Sequence, residues 1–192
     1  MSRDEIQLKK FEAYAYVLDY MPQGQIGVRR ESFRAKPSTQ LLGRNYFTLL
    51  EAIPKVGLTL SPHERVYVGK ERSRDKISHI LGRIEYDDLT SVARSELPLV
   101  VEGIVMQNEE RFYNFFNTAQ AMTPRMHSLE LIPGIGKKYT WAILDTREKG
   151  LFSSFQDVRE RTHIPDPAKL IVKRILEELR KSSKYRLFVR PP

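Results

Sequence analysis

The chain has 192 residues, no cysteine and a net charge of +8. That length suits one large domain or two small ones with a real hydrophobic core, and the missing cysteines exclude disulfides, thiolate nucleophiles and cysteine metal sites. Met1–Glu5 carries no apolar signal region, and no segment approaches the ~20 apolar residues of a membrane span, so a cytoplasmic protein without membrane contact is expected.

Residues 12–87 read mainly as β-structure. Tyr14, Tyr16, Leu18 and Tyr20 alternate as one strand face, and Gln23-Gly24 with Gly27 marks a turn. A second run, Gln40 to Glu51, places Leu42, Tyr46, Thr48 and Leu50 on one side. Val66-Tyr67-Val68 is a short third run, and Ile77 to Tyr86 is another with Ile80, Ile84 and Tyr86 in phase. Short strands with regular turns imply a small barrel over residues 1–97, and five of them suit an OB-like fold. Between two of these strands, Lys70, Arg72, Arg74 and Lys76 form a basic loop of a kind that flanks a groove for single-stranded nucleic acid. Tyr14, Tyr16, Tyr46 and Tyr67 either offer stacking faces or fill the barrel, and filling is the better reading for at least half of them.

Residues 98–124 change character. Val101, Val105, Phe112, Phe115, Phe116 and Ala119 fall at helical intervals, and Thr118 to Pro124 reads as a linker. The stretch 88–124 holds two basic against five acidic residues. A solvated acidic helix connecting two domains is expected, rather than a partner site.

Residues 125–192 read as an all-α domain and are the most basic part of the chain, with 15 Lys and Arg against 8 Asp and Glu. Leu131-Ile132-Pro133-Gly134-Ile135-Gly136-Lys137-Lys138 reads as a sharp bend between two helices. Met126, Leu129 and Ile132 have helical spacing before it; Tyr139, Ala142, Ile143 and Leu144 give an apolar face after it. Glycine permits positive φ and close backbone approach. The helix start beyond the bend leaves amide donors without intrahelical partners. Those donors, the positive helix end and two ammonium groups form a seat for phosphate. The bland alternative is a tight connection between packed helices. A dinucleotide fingerprint fails, because Tyr139 stands where a third glycine belongs and a helix precedes the bend.

Gly150 should end the second helix, and Ser154 to Asp157 resembles a helix start. A short helix over 157–161 and a longer one over 168–179 follow, the latter with Leu170, Ile171, Ile175, Leu176 and Leu179 as its stripe. His163-Ile164-Pro165-Asp166-Pro167 between them reads as a second, glycine-free hairpin that completes the core. The tail Lys184 to Arg190 alternates basic and apolar residues. It is either a strand at the barrel edge or a basic arm, and docking would hide Tyr185, Leu187 and Val189.

Leu129, the run Ile132 to Lys138 and the pair Ile143-Leu144 resemble the helix-hairpin-helix family of nucleic-acid-binding motifs. The resemblance implies that Gly134, Ile135, Gly136, Lys137 and Lys138 hold phosphate. Thr140 stands where that family usually has an alanine packed between the helices, and is a weaker candidate. Over nearly its full length the chain is similar to a little-characterised archaeal and bacterial family, described as RNA- or nucleic-acid-binding by prediction, with an OB-like and a helix-hairpin-helix domain. Segments Tyr46 to Glu51, Glu64 to Gly69 and Asp166 to Leu170 carry that likeness. It implies nucleic acid as partner, RNA favoured over DNA, and supplies no catalytic residue or cofactor.

The search for chemistry gives little. His63, His79, His127 and His163 lack metal-ligand spacing and read as surface or capping residues. Asp87-Asp88 reads as a turn or cap rather than half of a Mg²⁺ site. Val68-Gly69-Lys70 lacks the rest of a P-loop, and no nucleophile elbow is present. The expectation is a non-enzymatic binder of RNA or single-stranded DNA without metal or cofactor. The alternative is a protein-interaction adaptor using the same helical domain.

Overall fold

A computed structural model describes residues 11–24, 36–181 and 184–190. The turn residue Gly27 and Met1–Glu5 lie outside them. The chain forms two compact units, Met1–Ile84 and Glu85–Pro192.

Five strands build the first unit: β1 (Tyr14–Met21), β2 (Ser38–Gly43), β3 (Leu49–Pro54), β4 (Arg65–Tyr67) and β5 (Ile77–Arg83). They pair in the order β4-β1-β2-β3-β5, every neighbour antiparallel, and curl into a half-barrel. Among the described residues β4 and β5 are edges that do not pair with each other, so the sheet stays open. Ala15, Val17, Leu41, Leu50, Ala52, Leu60, Val66, Val68 and Ile77 form one core cluster.

Two expectations change here. The register of β1 slips between Val17 and Asp19, a bulge at Leu18. One extra residue reverses the side-chain alternation. Tyr20 therefore leaves the face of Tyr14 and Tyr16 and packs on the Ala15–Val17 cluster. The run from Gln40 to Glu51 is not one strand but the β2–β3 hairpin. Its loop is built from outside: the Glu12 carboxylate accepts the amides of Asn45 at 2.8 Å, Tyr46 at 2.8 Å and Thr48 at 3.3 Å. Glu12 is buried, and a Cβ on Gly43 would lie 2.2 Å from its carboxyl carbon, so only glycine fits beneath it.

The second unit holds α1 (Ser91–Gln107), α2 (Glu109–Thr118), a small β6 (Ala121–Thr123) and β7 (Met126–His127) pair, α3 (Lys137–Lys149), α4 (Phe155–Thr162) and α5 (Pro167–Arg180). The chain divides at 84/85 rather than after 97, and the expected connector is the interior of this unit. Thr90 caps α1 through the Ala93 amide at 3.0 Å, well before Pro98. The helix breaks at Asn108, and Leu97, Val101, Ile104, Val105, Phe112 and Phe116 are buried. The expected linker is the β6–β7 pair. Asp88 accepts the Glu85 amide at 2.9 Å in a 3₁₀ turn, as a turn residue does. Ser154 caps α4 and Asp166 caps α5, with Pro167 at the first helical position.

The tail is neither strand nor free arm. Glu178 on α5, 1% exposed, accepts the amides of Leu187 at 2.7 Å, Phe188 at 3.0 Å and Val189 at 2.9 Å. Phe188 packs against Phe112 and Phe115 with ring centroids 5.7 and 5.2 Å apart. The partner of Glu178 is Arg174, whose Nε donates to its carboxylate at 2.7 Å. Arg174 also donates to the carbonyls of Leu131 at 3.0 Å and Tyr185 at 2.5 Å.

Candidate nucleic-acid interface

The arm before the bend is shorter than its spacing implies. Met126 lies in β7, and Ser128–Leu131 make a single 3₁₀ turn rather than a helix. His127 caps this turn, its Nδ1 accepting the Leu129 amide at 3.2 Å, while Glu130 accepts the His127 amide at 3.0 Å. Burial and the Arg147 guanidinium push the His127 imidazole below its usual pKa, partly opposed by Glu130. The folded state therefore binds this proton less readily than the unfolded chain. Stability should be complete above about pH 6.5 and fall as the pH drops below that value, because protonation removes the accepting lone pair. Thermal melts of His127→Asn, which keeps a capping oxygen, should lose this part of the acid sensitivity; an unchanged pH profile would refute the assignment.

After Ile132 the chain turns on Pro133 and Gly134, and the Ile135 amide donates to the Ile132 carbonyl at 3.0 Å. Gly134 has φ +94°, the positive value a type II turn demands after its proline. A side chain here is strained, and its Cβ would come within 3.3 Å of Leu170 on α5. Ile132 and Ile135 are buried and anchor the turn, which pushes Gly134 and Gly136 outward. Gly136 is the N-cap of α3 and supplies no capping side chain. Lys137 and Lys138, at the first two helical positions, are exposed.

The expected site residues thus divide. Gly134, Gly136, Lys137 and Lys138 come together on the surface. Ile135 is interior and its amide is already bonded. Thr140 is interior too, 5% exposed, and its Oγ1 has no hydrogen-bond partner. The second bend caps α4 with His163 at φ 60° and buries Ile164 and Pro167, as core completion requires. His127 and His163 are both capping residues.

In the first unit the basic loop is tied to aromatic rings. The Arg72 guanidinium lies 4.4 Å from the Tyr67 ring centroid and donates to the Tyr14 hydroxyl at 3.2 Å. The two tyrosines meet edge to face at 5.4 Å. Arg65 covers the Tyr14 ring at 4.8 Å, and the Lys70 ammonium lies 4.4 Å from the Phe11 ring centroid. Arg74 is committed inward, donating to the carbonyls of Val68 and Gly69 at 3.2 and 3.1 Å. Tyr16 and Tyr67 are buried, whereas Tyr14 and Tyr46 are partly open. The signal missed in the sequence is the interleaving of Tyr14, Arg65, Tyr67 and Arg72, which only the β1–β4 register brings together.

An open five-stranded half-barrel and a five-helix unit define a protein of mixed α+β class. Among the described residues no helix is long and apolar enough to cross a membrane. The chain belongs to the family described as protein of unknown function DUF655, whose model matches residues 11–190. It is 46% identical over 184 residues to the uncharacterized protein MJ0038 of Methanocaldococcus jannaschii, covering 95% of this chain and 82% of that protein. It is also similar to the crystal structure of Af1531 from Archaeoglobus fulgidus, another DUF655 chain, with a TM-score of 0.84 and 45% identity over 93% of this chain and 100% of that one.

Proposed function

We propose that this protein binds nucleic acid, RNA in preference to DNA, by seating backbone phosphates at the start of α3. One observation carries the reading: a turn with Gly134 and Gly136 exposed opens a 13-residue helix with no capping side chain and two exposed lysines at its first positions. Free amides, the positive helix end and two ammonium groups converge there without a carboxylate cap. In this reading Ser128 to Lys149 is a variant helix-hairpin-helix element with a 3₁₀ turn in place of its first helix, the half-barrel is OB-like, and Lys70 and Arg72 make a separate contact of the first unit. The protein acts in the cytoplasm as a binder, not an enzyme.

A second reading, a protein-interaction adaptor, draws on α1. Val92, Leu99 and Met106 are exposed at seven-residue intervals and form an apolar stripe. Titration of the purified protein with labelled RNA at stepped salt concentrations separates the two. Phosphate binding gives a logarithmic affinity that falls linearly with the logarithm of salt concentration. No binding at low salt, together with co-purification of a protein partner, would favour the adaptor.

A further inference from the structure

We infer that Trp141 is a stacking platform for an unpaired base, which makes single-stranded nucleic acid the substrate class of the α3 site. The inference rests on the phosphate-binding reading above. Trp141 is the chain's only tryptophan and is 64% exposed. Several other rings are engaged: Tyr14 with Tyr67, Phe112 with Phe188, Phe152 beneath Arg161. Among the described residues the Trp141 ring meets neither an aromatic partner nor a cation.

Its position gives the open ring a use. Trp141 follows Lys137 by four residues and Lys138 by three, so all three share one face of α3. The indole stands about 6 Å along the axis from Lys137, within one nucleotide's reach of a phosphate held at the helix start. Beyond it Asp145 and Glu148 are exposed, so the face next to the tryptophan turns acidic before Lys149 in the last turn. A polyanionic strand crosses α3 there rather than running along it. Thr140, interior in the first turn of α3, leaves its Oγ1 without a hydrogen-bond partner. A base in a duplex is stacked on both faces and reaches an indole only by flipping out; a single strand offers an open face at every nucleotide.

The test uses the full chain and reports from the residue itself. A short single-stranded oligouridylate should quench the tryptophan emission with the same midpoint as fluorescence anisotropy of the labelled RNA. Duplex RNA of equal length should bind without comparable quenching. Trp141→Ala should weaken single-strand binding roughly five- to hundred-fold and leave duplex binding unchanged, with Trp141→Phe in between. Because the ring is exposed, melting curves should match wild type. Binding without quenching, equal quenching by the duplex, or an alanine variant as tight as wild type overturns the inference and leaves the phosphate seat standing. No binding of either probe at low salt overturns both.

Discussion

Replacing Lys137 and Lys138 together with alanine should weaken RNA binding by a similar factor on every sequence tested and make its salt dependence shallower. If each lysine neutralises one phosphate of a single strand, the double-logarithmic slope loses about 1.4. Carried from 1 M down to 0.1 M salt, where counterion release matters most, that corresponds to roughly a 25-fold loss of affinity. Both side chains are exposed, so thermal stability should not move. Anisotropy titrations at several salt concentrations give slope and affinity together. A double variant with wild-type affinity would remove the α3 start from the binding surface; a loss confined to certain sequences would mean that the lysines read bases rather than phosphates.

Glu178→Ala should produce the largest loss of stability, about 3–5 kcal/mol for the helical unit. Truncation leaves the Arg174 guanidinium as a buried charge without its counterion, and three tail amides lose their shared acceptor. Urea denaturation followed by far-UV circular dichroism measures it. Pairing the change with Arg174→Met should recover part of the loss, because an apolar pair carries no unpaired charge. A single variant within about 1 kcal/mol of wild type would show that the tail docks by its apolar contacts alone.

Short-range chemistry was readable in the sequence. Ser154, Asp166-Pro167 and Gly150 mark helix ends because capping uses residues adjacent to the amides and carbonyls they satisfy. The Pro133-Gly134 turn was readable for the same reason. What could not be read depends on distant partners. The loop between β2 and β3 carries only Gly43 and Asn45 as local turn residues; Glu12, more than thirty residues earlier, holds its amides. The helical spacing was read from residue 98 onward, yet α1 begins at Ser91 under the Thr90 cap and runs through Pro98. The docking of Tyr185 to Val189 was foreshadowed by its apolar residues, but no local pattern marks Glu178, nine to eleven residues earlier on α5, as the carboxylate that receives it. In the candidate site the glycines and lysines were visible as a string, whereas the inward commitment of Ile135, Thr140 and Arg74 required three dimensions.

Arg174 holds the carbonyl of Leu131, just before the bend, and that of Tyr185, at the start of the tail. Detachment of either segment leaves the same guanidinium short of an acceptor in a buried place. Release at one end therefore raises the free energy of holding the other. Amide exchange in the bend and in the docked tail, Tyr185 to Val189, should consequently report one shared opening, and any ligand that quiets the first will slow deuterium uptake in the second.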